Sequence, residues 1–290
     1  GAAILDKAES MIFALNEEAS HSDDNLQKLD KLVPAALDRM YELSNKPGGL
    51  LGTSTGFKDL DKKLQGLQKG DLIVVAGRPS MGKTSFAMNI AENILLDENN
   101  EGAVLIFSLE MPAASLTTRL LSSISKMNQQ NVRSGMLKDE ELQNLFNESK
   151  RVVDLPMFIE DSSILSPMEL RAKARRLARQ QKNGLSLIVV DYLQLMQLPL
   201  SSENRVNQIS EISRSLKSLA KELGVPVVAL SQLNRGVEQR PNKRPMMADL
   251  RDSGAIEQDA EVILFIYRDE VYHEDSTEGN KSEIIIGKQR

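Results

Sequence analysis

Cysteine and tryptophan are both missing from this 290-residue sequence, and only two histidines occur. Without cysteine there is no disulfide and no thiolate-bound metal, a composition that fits a reducing compartment. His21 and His273 stand far apart in polar surroundings, so a histidine metal site is not expected. Any metal should sit on oxygen and phosphate ligands. No apolar run approaches the roughly 18 residues of a membrane span, and no signal-peptide pattern opens the sequence. A soluble, cytoplasmic chain without a membrane partner is expected. Aromatic residues make up only 4%, which leaves aliphatic side chains to fill the core. A net charge of −5 argues against a globally basic nucleic-acid binder, although the charge on one groove or loop decides such binding.

What the sequence does have is Gly77-Arg78-Pro79-Ser80-Met81-Gly82-Lys83-Thr84-Ser85. It follows the apolar run Leu72–Ala76 and precedes residues 85–91, whose apolar positions recur at helical spacing. Strand, glycine-rich turn and helix are the context that the spacing G-x-x-x-x-G-K-[ST] requires. Backbone N–H groups of such a turn wrap a phosphate chain at a helix N-terminus, where the helix dipole favours anions. The nine residues Gly77 to Ser85 are therefore the expected nucleotide-binding loop. Lys83 would reach the β- and γ-phosphates, and the Thr84 hydroxyl would hold Mg²⁺.

Further apolar runs at Val104–Phe107, Leu187–Val190, Val225–Leu230, Val262–Ile266 and Ile284–Ile286 are mostly uninterrupted, as in parallel strands covered on both faces. Alternation with helical stretches indicates an α/β fold with a mostly parallel sheet and helices on both faces. Ligands in such folds sit beyond the carboxyl ends of the strands, so the residues ending each run carry the argument. Leu187–Val190 ends in Asp191, a carboxylate placed to help hold Mg²⁺. Leu105–Leu109 ends in Glu110, which could orient or deprotonate an attacking water, or simply start a helix before Pro112. Val227–Leu230 ends in Ser231 and Gln232; the Gln232 amide could report a γ-phosphate to the following loop. That loop, Leu233 to Gly254, sets Arg235, Arg240, Lys243, Arg244 and Arg251 against Glu238, Asp249 and Asp252. It suits contacts to a phosphate backbone, or it is a solvated loop. The last strand runs into Lys288 and Arg290. These cations either pair with nearby acids or act as an arginine finger, more readily on a neighbouring subunit's nucleotide than on their own.

Two helices are well marked. Ser166-Pro167-Met168-Glu169 is a capping box with proline at the first helical position, opening a helix to about Lys182. Its cations from Arg171 to Lys182 form either a nucleic-acid face or a solvated outer surface. Residues 203–223 carry an apolar stripe closed by Gly224 and Pro226. At the front, Ile4, Ala8, Met11, Ile12 and Leu15 share one helical face, and a polar stretch separates them from a second helical region, 26–43, in which Pro34 marks a start or a kink. The expected organisation is a helix and flexible linker over 1–25, and a nucleotide-binding domain over 26–290 with a helical entry at 26–50 and a core at 51–290.

From Thr53 to Arg290 the sequence resembles the RecA-like motor domain of bacterial replicative DNA helicases of the DnaB type. The resemblance rests on collinear motifs: Gly77–Thr84, Phe107–Met111, Val189–Leu195, Glu211–Lys217, Leu230–Leu233 and Ser253–Ala260. It implies a RecA-like P-loop NTPase that uses ATP and Mg²⁺, forms a homohexamer with nucleotide sites between subunits, and translocates on single-stranded DNA at the replication fork within the nucleoid. Carried over by motif, Lys83 and Thr84 match the phosphate and Mg²⁺ ligands, Glu110 the catalytic base, Asp191 the metal-binding acid and Gln232 the sensor. Arg119 matches a second arginine near the γ-phosphate, and Lys288 and Arg290 match finger residues given to the adjacent subunit. Arg251, Asp252 and Gly254 match the loop that holds DNA phosphates. Residues 4–15 look like the family's linker helix. The family's N-terminal collar, through which primase binds, has no counterpart here, and the family continues beyond residue 290. A part of a longer protein is therefore expected, with primase and a helicase loader as partners of the full-length form. The alternative reading is a nucleotide-gated DNA-binding or loader ATPase in which ATP only switches assembly.

Overall fold

The computed structural model describes residues 28–44, 49–196, 205–273 and 275–290, so the expected helix at 4–15 lies outside the described residues. The chain divides into two compact units, Gly1–Gly49 and Leu50–Arg290. In the first, helix α1 (Leu29–Ser44) carries Pro34 in its interior rather than at its start. Its apolar side chains Leu29, Leu32, Val33, Leu37, Met40 and Tyr41 are exposed.

The second unit is built on a seven-stranded sheet. After helix α2 (Lys58–Leu64), the chain forms β1 (Leu72–Gly77), α3 (Lys83–Leu96) and β2 (Ala103–Ser108). Helices α4 (Ala113–Ile124), α5 (Gln129–Ser134) and α6 (Asp139–Val152) lead to β3 (Met157–Glu160). Helix α7 (Pro167–Gln180), β4 (Leu185–Asp191), α8 (Arg205–Leu223) and β5 (Val227–Gln232) follow. Helix α9 (Gly254–Asp259), β6 (Val262–Tyr267) and β7 (Glu283–Gln289) complete the unit. The strands run in the order β3-β2-β4-β5-β1-β6-β7.

Strand β1 shows why the sheet is central. All six of its residues are buried. Leu72, Val74 and Ala76 enter one apolar cluster with Leu170, Leu216 and Phe265. Ile73 and Val75, pointing the other way, enter a second cluster with Ile90, Ile106 and Leu116. A strand covered on both faces needs an unbroken apolar run, which is what the sequence supplies. Helix α7 begins as its capping box requires: the Ser166 hydroxyl accepts from Glu169 N at 3.2 Å, and Ser166 N donates to Glu169 Oε2 at 2.8 Å. Of its basic residues, Arg171 and Arg175 pair with Glu222, and Lys173 pairs with Glu160. These contacts give part of the basic face a role within the fold.

Two features go beyond the expected sheet. Strand β3 is an addition, a short edge strand with no buried residue and hence a weak apolar signal. Strand β7 runs antiparallel to β6, a direction that the expected mostly parallel sheet left open for the run Ile284–Ile286. Among its described residues the connection from Arg268 to Ser282 contains one short 3-10 turn and no crossover helix. Without a crossover the chain returns alongside the strand it has just left.

Candidate active site

The parallel register brings the carboxyl ends of four strands to one edge. Gly77 of β1 lies beside Gln232 of β5, and Ser108 of β2 lies beside Asp191 of β4. The turn between β1 and α3 reaches left-handed backbone at Ser80 (φ 65°) and Gly82 (φ 95°). Gly82 is the residue at which φ > 0 is free of Cβ strain, and it caps α3 with no heavy atom within 4 Å of where a Cβ would stand. A helix N-terminus thus opens onto clear space, as an anion site needs.

Lys83 starts α3. Its ammonium donates to the carbonyls of Gly77 at 3.0 Å and Arg78 at 3.1 Å, folded back on its own loop. Burial lowers its pKa, the carboxylates of Asp191 and Glu110 pull it back up, and the Arg78 guanidinium adds to the lowering. Thr84 donates its hydroxyl to Asp191 Oδ2 at 2.8 Å. Asp191 is 2% exposed, and burial raises its pKa; Glu110 adds to the rise, while the Thr84 hydrogen bond, Lys83 and Arg119 oppose it. Glu110 is exposed at the end of a segment whose preceding residue, Leu109, donates its N–H to the Asp191 carbonyl at 2.7 Å. Arg119, on α4, donates to the Ser85 hydroxyl at 3.3 Å. Its Nε is buried without a hydrogen-bond partner, an open donor beside the loop.

The residues of the loop divide by what they can offer. Met81 is 2% exposed and belongs to the core, and its N–H donates to the Arg78 carbonyl at 3.4 Å. Pro79 has no N–H to give. Arg78 is 7% exposed; its Nε donates to Glu238 Oε1 at 2.8 Å and its Nη1 to the Leu233 carbonyl at 2.8 Å. The Arg78 side chain is therefore committed within the protein.

Over residues 52–290 the chain matches the family model described as DnaB-like helicase C terminal domain. It belongs to that family. Among curated relatives, the replicative DNA helicase DnaB of Pasteurella multocida (strain Pm70) is 52% identical over 291 residues, covering 99% of this chain and 62% of that protein. The DnaB of Geobacillus stearothermophilus is 46% identical over 288 residues, with 99% and 62% covered. The chain thus spans less than two thirds of the length of these relatives. Among solved structures, one described as an ATPase domain superposes with a TM-score of 0.83 at 36% identity, covering 92% of each chain. A DnaB-like replicative helicase described together with its interactions with primase gives 0.81 at 36% identity, covering 98% of this chain and 67% of that one. The DnaB-like fold of the second unit is the RecA-like ATPase fold, with β7 as its antiparallel edge.

In this DnaB-like domain Lys288 and Arg290 stand away from the chain's own Gly77–Ser85 loop. Arg290 N donates to the Glu261 carbonyl at 3.1 Å, and Glu261 N donates to the Leu72 carbonyl at 3.0 Å. Arg290 is therefore level with the start of β1, while the loop begins at its end, roughly 16 Å further along the strand direction. A bulge sets the facing of both cations. Ile263 pairs with Lys288 and Leu264 with Ile286, which leaves Gly287 as the extra residue. One extra residue exchanges the faces beyond it. Ile284 and Ile286 pack on the α2–α3 side, whereas Lys288 Nζ reaches the carbonyls of Glu257 at 2.5 Å and Ala260 at 2.6 Å, on the α9 side. Burial and the neighbouring Arg290 lower the Lys288 pKa, against the acids around it.

The segment after β5 is folded back on the domain. Arg240 pairs with Asp249 at 2.8 Å, Arg244 lies 4.8 Å from the centre of the Tyr267 ring, and Lys243 lies 4.8 Å from the centre of the Tyr272 ring. The 3-10 turn Met247–Ser253 includes Arg251 and Asp252, whose side chains lie outside the described part, and leads to the exposed Gly254. Gln194 and Glu238 carry no role that the sequence alone marks. The Gln194 amide donates to Ser231 Oγ at 2.9 Å and to the Gln232 carbonyl at 3.1 Å, and it accepts from Gln232 N at 3.2 Å. The proximity of Gln194 to Asp191 in the sequence was the available signal. Glu238 offered none.

Proposed function

We propose that this chain is the ATP-hydrolysing motor of a replicative DNA helicase, acting on single-stranded DNA as part of a homohexameric ring with nucleotide sites between subunits. The observation that carries the reading is the 2.8 Å contact between Thr84 and Asp191 at the mouth of the phosphate loop. A hydroxyl and a buried carboxylate, both oxygen donors, suit Mg²⁺, and Lys83 and the Gly82 turn suit the phosphates. When bound, Mg²⁺ supplies positive charge to the phosphate oxygens. Thr84 and Asp191 would hold it, Lys83 would turn from its own carbonyls to the phosphates, and Glu110 would orient and deprotonate water. Gln232 would sense the γ-phosphate, and Arg119 would bring a second cation to it through its open Nε.

The placement of Lys288 and Arg290 beyond reach of their own loop supports their action on a neighbour's nucleotide. Arg251, Asp252 and Gly254 are the proposed contacts to DNA phosphates, which need no base recognition. Residues 1–25 are the proposed linker, with the motor over 26–290. Primase and a loader are proposed partners of the longer protein, which would act in the cytoplasm at the fork. The test is the ATPase rate with and without single-stranded DNA, together with strand displacement on a forked duplex. DNA-stimulated hydrolysis with displacement is expected; DNA-stimulated hydrolysis without displacement would favour an assembly switch.

A further inference from the structure

The phosphate loop and the segment that follows β5 share a set of hydrogen bonds whose members are far apart in sequence. The Gly77 carbonyl accepts from Lys83 Nζ at 3.0 Å and from Leu233 N at 3.3 Å. The Leu233 carbonyl accepts from Arg78 Nη1 at 2.8 Å. Both backbone groups of Leu233 are thus held by two consecutive residues of the loop. One residue on, Asn234 N donates to the Asp249 carbonyl at 3.2 Å, and the Asp249 carboxylate collects Arg240 Nη2 and Met246 N, each at 2.8 Å. Asp249 lies in the turn that contains Arg251 and Asp252.

Glu238 closes this set from the other side. It lies on the 3-10 turn Arg235–Gln239, which the fully buried Val237 anchors, and its carboxylate accepts from Arg78 Nε at 2.8 Å. Arg78 therefore makes two divergent contacts, one to the start of the segment and one to its first turn. A charge-assisted hydrogen bond from a buried guanidinium is among the stronger contacts available to a loop.

We propose that Glu238, through Arg78, is a positioning residue that sets the segment Leu233–Ser253 according to what occupies the phosphate loop. The proposal rests on the reading that Arg251, Asp252 and Gly254, at the end of this segment, hold single-stranded DNA. Its origin is Lys83, whose ammonium has three donors and spends two of them on Gly77 and Arg78. Turning that ammonium to a phosphate chain withdraws it from the carbonyl it shares with Leu233 N and from the backbone that carries the Arg78 guanidinium. The two states of the loop then differ in their contacts to the segment, which is what a ligand needs to shift an equilibrium. The coupling is read as a change in the stimulation of ATP hydrolysis by DNA.

The experiment compares ATP hydrolysis by the unaltered chain, Glu238→Ala and Glu238→Gln, each with and without oligodeoxythymidylate, over a range of ATP concentrations. Glu238 is half-exposed at the side chain and touches no proposed ligand. In Glu238→Ala the DNA-free rate and the KM for ATP should hold, while the stimulation by DNA falls about five-fold or more. Glu238→Gln, which keeps an acceptor without the charge, should retain an intermediate stimulation. Unchanged stimulation in Glu238→Ala would overturn the proposal, as would an equal fall in the DNA-free and DNA-stimulated rates, the mark of a merely structural contact. Absence of stimulation in the unaltered chain would overturn the proposed function and the inference with it.

Discussion

Thr84 and Asp191, 107 residues apart in sequence, meet at 2.8 Å, hydroxyl to carboxylate. The contact joins the first turn of α3 to the end of β4 and places two oxygen donors together at the proposed phosphate loop. It also partly offsets the effect of burial on Asp191, which raises the carboxyl pKa above 3.8.

Removing that hydroxyl should therefore act on two quantities at once. In Thr84→Val the Asp191 pKa should rise further, and Mg²⁺-dependent nucleotide affinity should fall about ten-fold or more. The sign follows from proton uptake: a folded-state pKa above 3.8 means that the folded chain takes up this proton first as the pH falls. This group alone then favours the folded state as the pH drops toward 3.8, while the proposed Mg²⁺ site loses its carboxylate charge over the same interval. Carboxylate titration by infrared spectroscopy and nucleotide binding at stepped pH check both effects. An unmoved Asp191 titration would separate the two residues.

Lys83 and Glu110 should fail differently. Lys83→Ala should lower hydrolysis by about 10²–10³-fold, as for a lost charge-stabilising donor. Glu110→Gln should bind ATP normally and lower the turnover rate by about 10²–10⁴-fold. Nucleotide affinity measured beside single-turnover hydrolysis distinguishes them, and normal turnover in Glu110→Gln would remove it as the base.

Gly287 has a tighter role than its exposed position implies. A Cβ there would stand 2.4 Å from Phe265 Cε2 and 3.1 Å from the Met247 sulfur, and Phe265 is only 1% exposed. Gly287→Ala should cost about 1–3 kcal/mol of stability through overpacking, and it should disturb the bulge that faces Lys288 towards α9. Thermal unfolding beside ATP hydrolysis checks this; unchanged values of both would show that the strand end tolerates a shift.

The sequence made legible what is local or periodic. Leu72 to Thr84 spells strand, turn and helix within thirteen consecutive residues, and the residues ending β2, β4 and β5 could be collected by one rule about parallel strands. Direction was not legible at Ile284–Ile286, because an apolar run specifies a strand and not its sense. The Gly287 bulge was hidden for a related reason: register is set against β6, not within β7. Arg78 read as part of the phosphate loop, yet its guanidinium is held by Glu238, 160 residues away. Such pairings belong to the tertiary fold and leave no periodic trace.

In the proposed assembly one chain supplies the phosphate loop and another completes the site. The most direct measurement of this is ATP hydrolysis in mixed assemblies of Lys83→Ala and Arg290→Ala chains, in the presence of single-stranded DNA. Each variant alone should be inactive, and mixing should restore hydrolysis, because an Arg290→Ala loop can meet an intact Arg290 from a Lys83→Ala neighbour. A mixture as inactive as its components, under conditions where the two variants co-assemble, would contradict a site shared between subunits.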